Sequence, residues 1–196
     1  MYREKLKDYR IILASGSPRR QQFFKDMDIV FEIRPKEVEE DYPAHLTGSK
    51  ISDYLAEKKA IPFKNTLNEM DILITSETIV WHNGKALGKP ENEQQAFTML
   101  MALSGTSHEV ITSVCFTTVA SQKTVHAVTK VYVKSLTEAE IRYYIKNYRP
   151  FDKAGAYGIQ EWIGYTCIER IEGSYFNVAG LPTHLVYREL NAMVIA

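Results

Sequence analysis

Two long β-rich runs, Val110 to Val119 and Thr124 to Val133, are separated only by Ala120 to Lys123. A connection that short predicts adjacent antiparallel strands, because a parallel crossover needs a dozen residues or more. Strand-like and helix-like segments are mixed on both sides of this pair. That pattern predicts an α/β architecture with a mixed sheet and flanking helices, not a pure parallel βαβ array.

The remaining elements follow from local signals. Tyr9 to Ser15 reads as a buried strand. Ser17 then stands at an N-cap with Pro18 at the first helical position, and the helix runs to about Lys25 with Phe23 and Phe24 inward. Val30 to Ile33 reads as a short strand. Between about Ser49 and Ala60, Ile51, Tyr54, Leu55 and Lys58 recur at helical spacing, the stem of Lys58 lying along the apolar edge. Ile72 to Ile74 and Thr78 to Trp81 are strand-like, with Ser76-Glu77 between them. Asn83-Gly84 supplies the positive φ angles of a hairpin turn. Asn92 with Gln95 resembles a capping box, followed by a face of Ala96, Met99, Leu100 and Leu103 and a stop at Gly105. Thr137 with Glu140 opens another helix, with Ile141, Tyr144, Ile145 and Tyr148 inward. Tyr165 to Ile171 alternates as a strand, and a last helix follows Pro182 with Leu185, Val186 and Leu190 on its face.

At 196 residues the chain is long enough for one substantial domain or two small lobes sharing a core. There is no repeat, low-complexity tract or linker. Lysine plus arginine and aspartate plus glutamate number 24 each. A net charge of zero argues against bulk electrostatic binding to nucleic acid or a membrane, a local basic patch aside. No stretch is long and apolar enough to span a bilayer, and the segment from Met1 to Arg10 is charged rather than signal-like. Cys115 and Cys167 each sit in a strand-like run without a CxxC or Cys/His cluster, which predicts buried thiols and fits a reducing cytoplasm.

Four segments join turn residues to charge. In Ser15-Gly16-Ser17-Pro18-Arg19-Arg20 a strand ends, a small-residue turn follows, and a helix begins with two arginines. Cations there oppose the helix dipole unless an anion is near, so the segment, with Ser15, Ser17 and Arg19, reads either as a phosphate site or as arginines on a solvated face. Ser76-Glu77-Thr78 places a carboxylate between two apolar runs, where it serves as a metal ligand, a base for water, or simply a turn acid. Gly88-Lys89-Pro90 restricts a lysine, but it is not a Walker A loop. Asp152 to Gln160 (DKAGAYGIQ) joins Lys153, Tyr157 and Gln160 to glycines that either admit a ligand or make a tight turn. His108 reads as a helix-terminal histidine on backbone carbonyls. Tyr143, Tyr144 and Tyr148 read as a helix face rather than a stacking platform.

Taken together these segments resemble the Maf family of nucleotide pyrophosphatases. The matching runs are Leu13 to Arg20, Glu37 to Glu40, Ala56 to Ala60, Thr75 to Trp81, Leu87 to Pro90, Leu103 to Val110, Asp152 to Gln160 and Gly173 to Pro182, in the family's order. None is specific alone; the ordered set is. The resemblance implies an elongated mixed sheet in two lobes with a central cleft, similar to the inosine triphosphate pyrophosphatases. It implies hydrolysis of a nucleoside triphosphate to monophosphate and pyrophosphate with Mg²⁺ or Mn²⁺. On the family's pattern Arg19, Lys59 and Lys89 fall on phosphate-binding cations, Glu39 on an acidic position beside the metal, and Thr78 and Gln160 on positions linked to the base. Lys153 joins the substrate-binding set.

One position departs from the family. Its pattern reads Ala-Asp-Thr, with the aspartate as catalytic base, where this chain has Ser76-Glu77-Thr78. Glu77 keeps the carboxylate, as base and metal ligand, but adds a methylene worth roughly an ångström. A displacement of that size can cost about a hundredfold in rate. Within the family the motifs look like the branch that prefers dTTP and UTP. The alternatives are the 7-methyl-GTP branch and a nucleotide-binding regulator of cell division with little turnover. The implied partner is the nucleotide, with no nucleic acid or membrane, and a homodimer is compatible with it.

Overall fold

The computed structural model describes residues 2–193. In chain order the elements are α1 (Tyr2–Lys5), β1 (Arg10–Leu13), α2 (Pro18–Asp26), β2 (Glu32–Ile33), α3 (Ser49–Ala60), β3 (Asp71–His82) and β4 (Lys85–Leu87). There follow α4 (Glu93–Leu103), β5 (Ser107–Thr117), β6 (Gln122–Val133), α5 (Glu138–Tyr148), α6 (Trp162–Cys167), β7 (Ile168–Glu172), α7 (Tyr175–Val178) and α8 (Thr183–Met193). One seven-stranded sheet runs in the order β2-β1-β3-β5-β6-β7, with β4 on β3. β1 is parallel to β2 and β3, whereas β3–β4 and β6–β7 are antiparallel, so the sheet is mixed as the sequence predicts. The two long β-rich runs are neighbours, closed by a turn in which Thr118 N–H donates to the Ser121 carbonyl at 2.8 Å.

Hydrophobic continuity explains the sheet's centre. Ile11, Ile12 and Leu13 are all buried on β1, as are Ile72, Leu73 and Ile74 opposite them on β3. Strands covered on both faces read as unbroken apolar runs rather than alternation. Ile12 and Leu73 pack with Ala60 and Phe63, where α3 closes over the sheet. At the head of the β1–β3 pair, Arg10 grips Asp71 with two parallel bonds of 2.8 and 2.6 Å. Asp71 is held below the usual carboxylate range, by Arg10 first and by the Asn68 N–H as well.

The chain divides into two compact units. Among the described residues the first takes the chain up to Glu77, Thr112–Ala127 and the segment from Gly180. The second comprises Thr78–Ile111 and Val128–Ala179. β3, β5 and β6 each pass from one unit into the other, so no linker is needed. Both cysteines are buried and free, and burial pushes the Cys115 thiol up. No helix among the described residues is long and apolar enough to cross a membrane.

Several local expectations need correction. Ser76 and Glu77 do not form a turn, because β3 runs unbroken through them. Tyr165 to Ile171 is not one strand: α6 occupies it to Cys167 and leaves Tyr165 exposed, and β7 starts only at Ile168. Val30 is exposed outside β2. On α3 the buried face carries Ser52 and Ala56 beside Ile51 and Leu55, while Tyr54 points outward. Tyr148 is also exposed at the end of α5. Ser17 occupies the N-cap position of α2 without making the capping bond.

Candidate active site

In the first unit, the end of β1 and the start of α2 form a tight polar turn. Ser15 is buried, and its hydroxyl accepts the Ser17 N–H at 3.2 Å. Gln21 returns from the first turns of α2 to the Ser15 carbonyl at 3.2 Å. Pro18 opens the helix, and its first turn carries no acidic residue. The positive end of the α2 dipole and the charges of Arg19 and Arg20 therefore lie together at this helix start.

Arg20, one position on, braces this turn. Its Nε donates to the Gly180 carbonyl at 2.9 Å and its Nη1 to the Ser76 carbonyl at 3.0 Å. Burial lowers the pKa of its guanidinium below the ordinary range, against the pull of Glu77 and with the push of Arg19. Both arginines thus belong to one electrostatic cluster with Glu77.

The position of Glu77 follows from strand and helix periods. Thr75 and Glu77 lie two apart on β3 and share a face. Ala56 and Lys59 lie three apart on α3 and share a face. The Thr75 hydroxyl donates to the Ala56 carbonyl at 2.6 Å, in a buried bond that fixes strand against helix. With that bond in place, one step along each element brings Lys59 Nζ onto the Glu77 carboxylate. Lys59 also donates to Glu40 Oε1 at 2.9 Å. Glu77 is 8% exposed, and Lys59 is a cation that offsets the cost of burying a carboxylate.

Adjacent lysines fasten the acidic loop. Lys58 pairs with Asp41, holding that carboxyl below its usual range, while Lys59 takes Glu40. Glu39 is exposed and acts electrostatically on Lys58. The carboxylate that joins Glu77 at Lys59 is therefore that of Glu40. No group of three or more His, Cys, Asp or Glu side chains suited to a metal exists among the described residues. Two carboxylates sharing one ammonium are nonetheless hard oxygen donors already gathered on a cation. Mg²⁺ and Mn²⁺ suit such sites, with substrate phosphates and waters completing the shell.

The second unit holds the remaining candidates. Lys89 is exposed beyond β4. Its neighbour Gly88 accepts the Gly155 N–H at 3.0 Å, tying the two glycine-bearing segments together. Gly155 has φ +67°, and a Cβ there would lie 2.8 Å from Val80 Cγ2, so both conformation and space call for glycine. Lys153 is buried and pairs with Asp152 at 2.6 Å and Glu161 at 3.0 Å. Gln160 is exposed, and Thr78 is half-buried directly after Glu77. His108 does not bond carbonyls at a helix end. It lies buried on β5, with Nε2 2.7 Å from the Tyr157 hydroxyl. Burial, and secondarily His82, lowers its pKa to about 4.

Sequence reasoning missed Arg20, Glu40 and Glu161 as site-forming residues. Arg20 and Glu40 each had a signal, as second members of the Arg-Arg and Glu-Glu pairs. Glu161 had none, since its partners lie on α5 and earlier in the same segment.

The model of the Maf-like protein family matches residues 10–193. A dTTP/UTP pyrophosphatase of Flavobacterium johnsoniae is 59% identical over 194 residues, covering 99% of this chain and 100% of the relative. Its counterpart in Christiangramia forsetii is 54% identical, covering 99% of each chain. A third, in Phocaeicola vulgatus, is 48% identical over 97% of this chain and 99% of its own. Among solved structures, the Staphylococcus aureus Ham1 protein overlaps 63% of this chain and 71% of its own, at 13% identity and a TM-score of 0.45.

Proposed function

The chain belongs to the Maf-like protein family, and from that premise we propose that it hydrolyses nucleoside triphosphates, dTTP and UTP foremost, to the monophosphate and pyrophosphate. The observation that carries the reading is the buried Glu77 carboxylate held by Lys59 beside the Ser15–Arg20 turn. A lone buried acid is costly, and this one is paired with Lys59 next to cations that suit phosphate. The names of the relatives point the same way.

In this reading the phosphates bind Arg19 and the helix-start amides of α2, with the Ser15 and Ser17 turn shaping the approach. Lys59 and Lys89 neutralise charge that builds on the transferred phosphoryl group and its leaving pyrophosphate. Glu77 accepts a proton from the attacking water. Arg20 holds the turn to β3, so the arginine loop and Glu77 keep their spacing. Glu77 with Glu40, and Glu39 on the same loop, would hold a Mg²⁺ or Mn²⁺ ion, which when bound supplies further neutralisation of phosphate oxygens. Gln160 offers one donor and one acceptor to a pyrimidine edge, with Thr78 as a second polar contact and Lys153 as a further substrate-binding residue. A reducing cytoplasm suits two free buried thiols.

The test is a screen of dTTP, UTP, CTP, GTP and 7-methyl-GTP with Mg²⁺ or Mn²⁺, reading pyrophosphate release and the monophosphate formed. dTTP and UTP should give the highest kcat/KM. A lead for 7-methyl-GTP would overturn the branch. Tight binding of nucleotides without pyrophosphate release would replace the enzyme with a regulator.

A further inference from the structure

We propose that Tyr144 and Glu161 are positioning residues that preset the Lys153–Gln160 segment for the nucleotide base. The inference rests on the pyrophosphatase reading and assigns two residues to its substrate selectivity.

Tyr144 lies on α5 with no exposed surface. Its ring stacks on Tyr148 at 5.2 Å, a contact that phenylalanine would make equally well. The hydroxyl is what needs an explanation, because a buried polar group is costly unless hydrogen-bonded. It is bonded twice. It accepts the Gly158 N–H at 3.0 Å and donates to Glu161 Oε2. The second oxygen of Glu161 takes Lys153 Nζ at 3.0 Å. A polar chain thus runs from the Gly158 amide through Tyr144 and Glu161 to the Lys153 ammonium. Burial first, and then Glu161, push the phenol up, so Tyr144 remains a donor throughout the working pH range.

Space around the segment is equally restricted. A Cβ on Gly158 would lie 3.0 Å from both Glu161 Cδ and Lys153 Cε. A Cβ on Gly164 would lie 1.9 Å from the Ile159 carbonyl oxygen, so only glycine lets α6 begin against that backbone. The Glu161 N–H closes back on the Gly158 carbonyl at 3.0 Å. Gln160 is therefore an exposed side chain between two pinned neighbours, Ile159 and Glu161. Its backbone is ordered before any ligand arrives, and binding does not carry that entropic cost. Glu161 touches no base in this account; it acts through Lys153 and through the backbone of Gln160.

The experiment compares the parent with Tyr144→Phe, Glu161→Ala and the double variant, measuring kcat/KM for dTTP, UTP, CTP and GTP together with melting temperature. Each single change should lower the dTTP-to-GTP ratio of kcat/KM by about tenfold, mainly through KM for dTTP. The double variant should be no worse than the worse single, since both cut the same chain. Glu161→Gln keeps an acceptor for Tyr144 and should restore much of the ratio. A ratio within about twofold of the parent in both single variants, whatever their stability, would overturn the inference while leaving an active pyrophosphatase. If Tyr144→Phe does not fold, Glu161→Ala decides alone, at a side chain that is 23% exposed. A parent that cleaves none of the four nucleotides would remove the pyrophosphatase reading, and this inference with it.

Discussion

Glu77 shows what one residue owes to partners that its neighbours in sequence do not reveal. Read locally, Ser76-Glu77 is a polar break between two apolar runs. In the fold it lies inside β3, buried, and Lys59 of α3 supplies the charge that makes burial tolerable. Strand periodicity cannot announce a cation three turns along a distant helix. The resemblance located the carboxylate, and the structure added Glu40 and Arg20 around it. Glutamate is here the length that reaches Lys59. Glu77→Asp should withdraw the carboxylate by roughly an ångström and lower kcat/KM by about 10- to 100-fold. Glu77→Gln keeps the length but loses the base, and should cost about 10³-fold. Nucleotide affinity, measured by calorimetry, should survive in both because Arg19, Lys59 and Lys89 remain. An aspartate variant faster than the parent would show that the site is not built around glutamate. Undiminished turnover in Glu77→Gln would remove the residue from catalysis.

At the scale of elements, legibility tracks how local the cause is. The Asn83-Gly84 turn is read correctly because both residues adopt positive φ, at 48° and 75°. The α5 capping box is read correctly because its reciprocal bonds join Thr137 and Glu140 alone. The Asn92 box is only half formed: Asn92 accepts the Gln95 N–H at 2.9 Å, but the Gln95 side chain goes to the Glu91 N–H. α6 fails the sequence reading because a six-residue helix is too short to show a period, and its start depends on Gly164 fitting against Ile159. The α5 cap matters beyond its own helix, since α5 carries Tyr144. Lys134 first, then the Thr137 bonds, hold the Glu140 carboxyl down to about 2. Replacing Thr137 with alanine should cost about 1 kcal/mol and lower the melting temperature by about 2–4 °C. An unchanged melting temperature at neutral pH would mean that the cap contributes nothing to stability.

For the whole molecule, the mixed sheet was legible because its middle pair is joined by a turn too short for a crossover. Chain length allows two lobes and the family resemblance implies them, but the boundary between the two units was not legible, because three strands pass through both and no linker marks it. The sequence reading placed His108 at a helix end; burial on β5 gives it instead a weight in global stability. Its Nδ1 is buried without a hydrogen-bond partner among the described residues, and Nε2 meets the Tyr157 hydroxyl. A proton would have to enter that site against burial and against His82, which is why the folded pKa is about 4 rather than 6.5. The sign follows. Between those values the unfolded chain binds a proton that the folded chain refuses. The contribution is complete above about pH 6.5, shrinks as pH falls, and is gone below about pH 4. At its largest the effect is worth about 3 kcal/mol. Most carboxylates titrate below the interval from about pH 6.5 to 5, and a His108 variant separates this histidine from His45, His82, His126 and His184. Urea unfolding across that interval should show the parent losing stability steadily. His108→Gln leaves Tyr157 a polar partner that does not titrate, and its stability should be much flatter over the same range, even if lower at neutral pH. Parallel losses in parent and variant would assign the acid sensitivity to other groups.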